Sequence, residues 1–556
     1  MILVSCHEAH KIDERAMVEW CLSSSVLVEA AGRECANSLI AVWSQIVPET
    51  VKTSTRSLSI ILVAGSGNNA ADGMVLLKTL ILKGFCNILR CKVILAKPIA
   101  DSEMNATANP TPRSQVFKIL QKMGIPCLLW QDLSEKERYT VFSKADLIID
   151  ALTGTGLSGP VHGAVAELIA VINKIRNMNT SQRIIAIDIP SGLSDSWEIE
   201  YPLIAADLTL AIEPVKACLY KPQARMKAGH IIPVTGIFPE ALLTQIAQNT
   251  LITFSTLASD QNAREALSVQ KDAYKHKRGV VQIFAGALGT SGAAMLASRG
   301  AQAGGAGLVQ LVTEQLLAEQ LMAQAGGLLV TCQLWLNEQK EQGMRSALTP
   351  DAIVMGPGLV WNNEKEVQLQ KAIHYQIQQH CGLVFDADAI VHAAVYTFTG
   401  PTVFTPHPVE FERLINVLPH DTYESNIPSD DELRRMIATN PVPLLQRAAR
   451  QINAVILLKG HVIYISAPDG SYSVIDGMES MLAMGGSGDL LAGLIGALMA
   501  RMRRNRITID PVLCSQWAVT ILLEAGHRLA HTKGFQDPLT LAEMIGTVAG
   551  ELWLPR

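Results

Sequence analysis

The sequence predicts an α/β protein of two domains, each a parallel sheet covered by helices on both faces. Two observations predict it. Short β-branched apolar runs recur along the chain, each followed by glycine and then an amphipathic stretch, which is how buried parallel strands alternate with crossover helices. The recurrence lapses between about Ile237 and Lys275 and then resumes, so one sheet follows another.

In the first half the runs are residues 59–64, 91–96, 145–150 and 183–188, with an amphipathic helix expected from Met74 to Lys83. In the lapse, residues 250–255 lead into the polar Ser259-Asp260-Gln261-Asn262, which marks a boundary. The domains are therefore placed at 1–240 and 265–556, with 241–264 as a linker. In the second half the runs are 279–286, 351–356, 382–386 and 454–459, and an apolar helix is expected from Leu490 to Ala500. Small-residue clusters such as Gly304-Gly305-Ala306-Gly307 mark close packing of helix on sheet.

Composition excludes several classes of function. With 556 residues, 49% hydrophobic and 17% charged, the chain is globular rather than disordered. Its 46 Lys+Arg against 51 Asp+Glu, net −5, offer nothing to a nucleic-acid backbone. The one basic cluster, Arg501 to Arg506, reads as a solvated helix end. No apolar run approaches the roughly 18 residues that span a bilayer, and residues 1–8 carry no charged leader before an apolar core, so neither a membrane span nor an export signal is expected. The ten cysteines are scattered without a C-x-x-C pair, the usage of reduced thiols in a cytoplasm, and no disulfide is expected. His7-Glu8-Ala9-His10 is one residue short of the i, i+4 spacing that sets two imidazoles on one helix face, so it is not read as a metal site.

The chemistry-bearing residues of the first half cluster at strand ends. Gly65-Ser66-Gly67-Asn68-Asn69-Ala70-Ala71-Asp72-Gly73 joins a strand to a helix, where open N–H groups and the helix dipole can hold an anion. Its G-x-G-x-x-A spacing, and the G-x-G-x-x-G of Gly154 to Gly159, lack the following carboxylate of a dehydrogenase. Asn68, Asn69, Asp150, Asp188 and Ser191 nevertheless sit at successive carboxyl ends of strands, the edge where parallel sheets place ligands. With Arg15-Ala16-Met17-Val18-Glu19, the segment 150–156 and the turn Asp188-Ile189-Pro190-Ser191-Gly192, this half resembles the NAD(P)H-hydrate epimerase domain over about residues 1–240. The resemblance implies a Rossmann-like α/β/α sandwich with catalytic Asp188 and a potassium ion held by Asn69, Asp150 and Ser191. It implies a hydrated dinucleotide bound by Asn68, Asn69, Ala70, Ala71, Asp72, Gly154, Thr155, Gly156, Leu157, Ser158, Gly159, Pro160 and Asp188. Ala70 and Ala71 stand where that family has glycines. An alanine at positive φ costs about 1–2 kcal/mol and its methyl could block the ligand, which predicts a weakened epimerase.

In the second half, Met484-Gly485-Gly486-Ser487-Gly488-Asp489 precedes an apolar helix, an anion cradle by geometry with a carboxylate in the first helical turn. Gly356-Pro357-Gly358, Asp386-Ala387-Asp388-Ala389, Thr405-Pro406-His407-Pro408 and Lys459-Gly460 follow four other strands. Together with His276-Lys277-Arg278-Gly279 and the cluster 304–309, in this order, they resemble the ribokinase-like ADP-dependent (S)-NAD(P)H-hydrate dehydratases over about residues 265–553. That resemblance implies a ribokinase-like α/β domain that phosphorylates hydrated NADH or NADPH from ADP, eliminates phosphate and uses Mg2+. Gly358, His407, Pro408, Val409, Glu410, Phe411, Glu412, Arg413 and Asp489 would meet the hydrate, with Asp489 the catalytic base. Lys459, Gly460, His461, Val462 and Ile463, and Glu479, Ser480, Met481, Leu482, Ala483, Met484, Gly485, Gly486, Ser487 and Gly488, would meet ADP. Val391, Val409 and the segment 477–484 depart from the family pattern.

The expected protein is a cytoplasmic homo-oligomer that repairs a small molecule. Two other readings stay open at this point: a ribokinase-class small-molecule kinase, which the same cradle and Asp489 would serve, and a dinucleotide-binding protein that has lost catalysis. Hydrate turnover against sugar or vitamin phosphorylation separates the first, and binding without turnover identifies the second.

Overall fold

A computed structural model describes residues 1–47, 58–105, 110–245, 249–322, 326–331, 349–418 and 429–555. The chain divides into two compact units, Met1–Thr250 and Leu251–Arg556. The segment 241–264 is not bare linker: it carries the end of helix Glu240–Thr244, the strand Asn249–Leu251 and the helices Phe254–Ser259 and Gln261–Glu265; residues 246–248 lie outside the described residues.

In the first unit a parallel sheet runs Cys127–Leu129, Cys91–Leu95, Ile60–Ala64, Leu147–Ala151, Arg183–Ile187, Leu208–Ile212 and His230–Val234. Side chains alternate across a strand, so one strand feeds two cores. Ile60, Leu62 and Ala64 pack on one face under helices Ser24–Ala41 and Asn68–Leu82. Ile61 and Val63 pack on the other with Leu168, Ile169 and Ile172 of helix Gly163–Met178. Burying each Ile or Leu contributes roughly 1.5–3 kcal/mol, which is why every central strand is apolar on both faces.

In the second unit Leu329–Thr331, Leu308–Val312, Val280–Phe284, Ala352–Met355, Gly382–Phe385, Thr402–Phe404 and Val455–Leu458 are parallel in that order. The sheet is not parallel throughout. Val462–Ser466 and Tyr472–Asp476 add as antiparallel neighbours, because the short link 459–461 permits a hairpin and no crossover. Helices Ser291–Ala303 and Ser487–Arg504 approach backbone to backbone: a Cβ on Gly300 would lie 2.1 Å from the Leu490 carbonyl oxygen, and one on Gly493 1.8 Å from that of Ala297. These paired notches fix the helix that carries Asp489.

Both helices at the candidate loops start earlier than expected, at Asn68 and at Ser487. The basic cluster is not a solvated end either. Arg501 is only 3% exposed, donates to the carbonyls of Leu267 and Gly304 and lies over the Trp553 ring, while Arg504 pairs with Asp351 at 2.6 Å. Among the described residues no helix is long and apolar enough to cross a membrane.

Candidate functional site

In the first unit the strands flanking Ile60–Ala64 and Leu147–Ala151 run off in opposite directions, so the loops leaving their carboxyl ends part and open a crevice. A cleft of about 420 Å³ lies there, lined by residues 66–69, Asp72, residues 152–157 and Asp188. Helix Cys6–Glu19 adds His10 and Asp13, and the short strand Val215–Lys216 adds Lys216.

Charge in this cleft is buried and organised. Lys216 Nζ donates to Asp188 Oδ1 at 2.6 Å and to the Ile212 carbonyl at 2.9 Å. Asp188 has φ +66°, a left-handed conformation that costs a non-glycine residue about 1–2 kcal/mol and here aims the carboxylate at the ammonium. Burial, then the neighbouring Asp188 and Asp13, hold the Asp72 carboxyl well above its usual range. Asp13 is also raised, by burial first, with Lys216 opposing. The cleft therefore sets carboxyls whose acid form burial favours beside an ion-paired carboxylate, the separation of roles that acid–base chemistry needs.

Deeper in, Ser191 gives Oγ–H to Asp150 Oδ1 at 2.6 Å and N–H to Oδ2 at 2.8 Å, and its Oγ accepts from Thr153 N at 2.9 Å. Burial pushes Asp150 up to about 6 against these bonds. Asn69 Nδ2 donates to the Thr153 carbonyl at 2.8 Å, which leaves Asn69 Oδ1 buried without a partner. An orphaned amide oxygen near an all-oxygen set containing one buried carboxylate fits a monovalent cation.

Several expected contacts are corrected. Ala70 and Ala71 are helical, fully buried and part of the apolar core, so neither strains the backbone nor faces the cleft. Ser158, Gly159 and Pro160 fall outside the cleft lining. The sequence reading missed His10, Asp13 and Lys216. His10 was weighed only as a metal ligand, and Lys216 sits on a strand of two residues that leaves no periodic signal.

In the second unit the centre is the start of helix Ser487–Arg504. Gly486 caps it at φ +95° and no side chain caps it, so the first-turn N–H groups stay open and the dipole is positive there. Asp489 lies in that turn. Lys459 Nζ stands 2.7 Å from Asp386 Oδ1 and 3.8 Å from Glu410 Oε2, and a Cβ on Gly488 would lie 3.4 Å from it, so the ammonium reaches the cradle. Thr405 Oγ1 also donates to Asp386, at 2.8 Å. Desolvation, then Asp386 and Glu410, push Asp489 up to about 6 despite Lys459. Desolvation also raises Glu410. For Lys459 desolvation works downward, but Asp386, Glu410 and Asp489 outweigh it and raise the ammonium.

His407 caps helix Pro408–Val417: its Nδ1 accepts from Val409 N at 3.2 Å, and Glu410 Oε2 accepts from His407 N at 2.8 Å. Gly358 stands at the second sheet's own switch point, between Val280–Phe284 and Ala352–Met355, where its carbonyl accepts from Thr290 Oγ1 at 2.6 Å. Not every expected contact faces this centre. Phe411 is fully buried in the core, Val462 and Met481 are 3% and 2% exposed, and Glu412 is taken by Arg434 at 2.9 Å. The resemblance implies these contacts as whole segments, and a segment includes side chains that turn into the core as well as those at the sheet edge. Asp386, which anchors Lys459, stood in a quoted motif without being assigned a role.

Two family models match the chain: one described as NAD(P)H-hydrate dehydratase over residues 281–546, and one described as YjeF-related protein N-terminus over residues 24–218. The bifunctional NAD(P)H-hydrate repair enzyme of Moorella thermoacetica is 30% identical over 90% of this chain and 88% of its own. Its namesake from Synechocystis is 28% identical over 89% and 85%. That of Salinibacter ruber is 27% identical over 97% and 94%. Among solved structures, an ADP/ATP-dependent NAD(P)H-hydrate dehydratase from Bacillus subtilis, co-crystallised with ATP and Mg2+, is 24% identical and covers 54% of this chain and 99% of its own, with a TM-score of 0.42. A ribokinase-like protein from Enterococcus faecalis is 23% identical over 55% and 98%, with a TM-score of 0.43. With both units matched in order and similarity running through nine-tenths of the chain, this protein belongs to the bifunctional NAD(P)H-hydrate repair enzymes.

Proposed function

We propose that the chain repairs hydrated NADH and NADPH with both units active, the first interconverting the R and S hydrates and the second dehydrating the S form with ADP. The observation that carries the second step is the uncapped start of helix Ser487–Arg504 with Asp489 in its first turn and Lys459 beside it. The ring hydroxyl gives its proton to Asp489 and its oxygen attacks the terminal phosphorus of ADP; AMP leaves. Phosphate then departs with the C–O bonding pair, the neighbouring ring carbon gives up a proton to solvent, and the double bond returns. N–H groups of residues 486–488 and Lys459 stabilise the charge that spreads over the transferring group. Three carboxylates, Asp386, Glu410 and Asp489, surround one ammonium, a surplus that fits a divalent cation accompanying the nucleotide. Magnesium bound there would neutralise phosphate charge, with Glu410 the residue of this chain placed to hold it.

In the first unit, inversion at the hydroxyl-bearing carbon breaks the C–O bond and returns water from the opposite face. Asp72 or Asp13, whose acid form burial favours, gives the leaving hydroxyl its proton, and Asp188, paired with Lys216, takes a proton from the returning water. Asn69, Asp150 and Ser191 would hold potassium, which would fix the loops at Thr153 and Ser191 that shape the cleft.

The test is incubation with mixed R and S hydrates, ADP and Mg2+, followed at the reduced-nicotinamide absorbance. Full recovery is expected; recovery that stops at the S fraction refutes the first step, and no recovery refutes the second.

A further inference from the structure

The second unit holds another cavity, of about 1030 Å³, at the other end of the helix that carries Asp489. Asp489 and Arg501 are twelve residues apart on it, about 18 Å. Lys277, Arg278, Arg501, Arg504 and Arg506 line the cavity, and Glu265 is the single carboxylate among its lining residues.

Two of these cations are already answered, Arg504 by Asp351 at 2.6 Å and Lys277 by Asp272 at 2.8 Å. Arg278, Arg501 and Arg506 meet no carboxylate within ion-pair distance among the described residues. Arg501 is the telling one. It is 3% exposed, it donates only to main-chain carbonyls, and its Nε has no partner. Arg278 stands on the same glycine: a Cβ on Gly305 would lie 2.1 Å from Arg501 Nη2 and 3.5 Å from Arg278 Nη2. Burial first, and then Arg278, pull the Arg501 guanidinium down to about 10.

Buried charges are ordinarily paired, because desolvation penalises an unpaired one. The Trp553 ring, 5.0 Å away, and the helix's carboxyl end supply part of the missing negative potential. The ring and a dipole of about half a charge answer the buried Arg501 only in part, and the half-buried Arg278 and the exposed Arg506 add two further positive charges beside it. Arginine forks match phosphate oxygens in shape as well as sign.

We propose that this cavity is a second anion site, distinct from the cradle at Asp489, that takes a small molecule bearing a polyphosphate. Arg278 and Arg506 grip it, and the buried charge of Arg501 beneath them adds to the positive potential they present. Tyr274, 59% exposed on the cavity wall with Lys277 Nζ 5.6 Å from its ring centre, offers a face for a base, so the polyphosphate is either inorganic or that of a nucleotide. The proposal does not depend on the repair reaction.

The test is calorimetric titration of the full chain with tripolyphosphate at low ionic strength. In the wild type two classes of site are expected, one displaced by AMP and one not. In Arg278→Gln/Arg506→Ser the AMP-insensitive class should weaken at least tenfold, while kcat and the KM for ADP stay as in the wild type. Arg506→Ser alone, at an exposed position, should weaken it severalfold and guards against misfolding of the double variant. Substituting ATP for tripolyphosphate distinguishes the sources: tighter binding that Tyr274→Leu abolishes assigns a nucleotide, and equal binding assigns inorganic polyphosphate. A single class of site that AMP displaces, or an AMP-insensitive class untouched by the arginine substitutions, overturns the proposal.

Discussion

At the scale of single residues, Asp489 is placed where a carboxylate is costly and useful at once. Its pKa of about 6, against an ordinary 3.8, means that the folded chain prefers it protonated. That contribution to stability is present in full below about pH 3.8 and is lost as pH rises through 6, so at neutral pH the ionised group burdens the fold. Asp489→Asn should therefore lower ADP-dependent recovery of NADPH absorbance about 10²–10⁴-fold while raising the melting temperature of the second unit at pH 7. The gain is of order 1–2 kcal/mol after allowance for partial exposure, a few degrees, and it should vanish at pH 4. Retained activity, or a melting temperature that falls, would remove Asp489 from the role of base. The same group sets the pH profile. The kcat/KM for the hydrate should fall about tenfold per unit below pH 6, because the base is then the minor form. A profile flat to pH 5 would mean that another group accepts the proton.

At the scale of elements, both sites use the first turn of a helix, and both helices begin earlier than hydrophobic periodicity indicates. Periodicity reports the buried stripe, whereas the start is decided by caps and by which backbone groups find partners. Asn68 to Gly73 read as loop because small and polar residues dominate, yet glycine at position 67 caps a helix that places Asn69 and Asp72 on the cleft side and Ala70 and Ala71 in the core. Restoring the family glycines, Ala70→Gly and Ala71→Gly, should cost about 1 kcal/mol each in helix propensity, and more for the buried methyls, without raising the rate of R and S interconversion. Thermal melting and hydrate chirality assays read both quantities. A faster epimerase in the glycine variants would show that the methyl groups do impede the ligand. The strand runs were legible because each is apolar on both faces, as Ile60 to Ala64 shows by feeding two cores. Lys216 was not legible, since only tertiary structure brings it to Asp188 across 28 residues.

At the scale of the whole molecule, the motifs at strand ends were legible because topology decides where a ligand can sit, and a glycine or proline at a strand exit betrays that topology. What the sequence hid was charge that acts at a distance: Asp386 anchoring Lys459, and Arg501 buried where a solvated helix end was expected. Among the described residues each unit has its own core, and the residues named at each site belong to one unit. Their chemistry should then separate by mutation. Asp188→Asn should leave the initial rate with pure S hydrate within twofold of the wild type, because Asp188 lies in the first unit and the dehydratase residues in the second. With a mixed substrate the same variant should stop at the S fraction, while Asp489→Asn should still interconvert the isomers and recover no reduced nicotinamide. Mixing equal amounts of the two variants should restore full recovery, since the S hydrate made on one chain can diffuse to the other. If the mixture recovers no more than Asp188→Asn alone, the sites do not exchange substrate through solution, and the separate action of the two units is wrong.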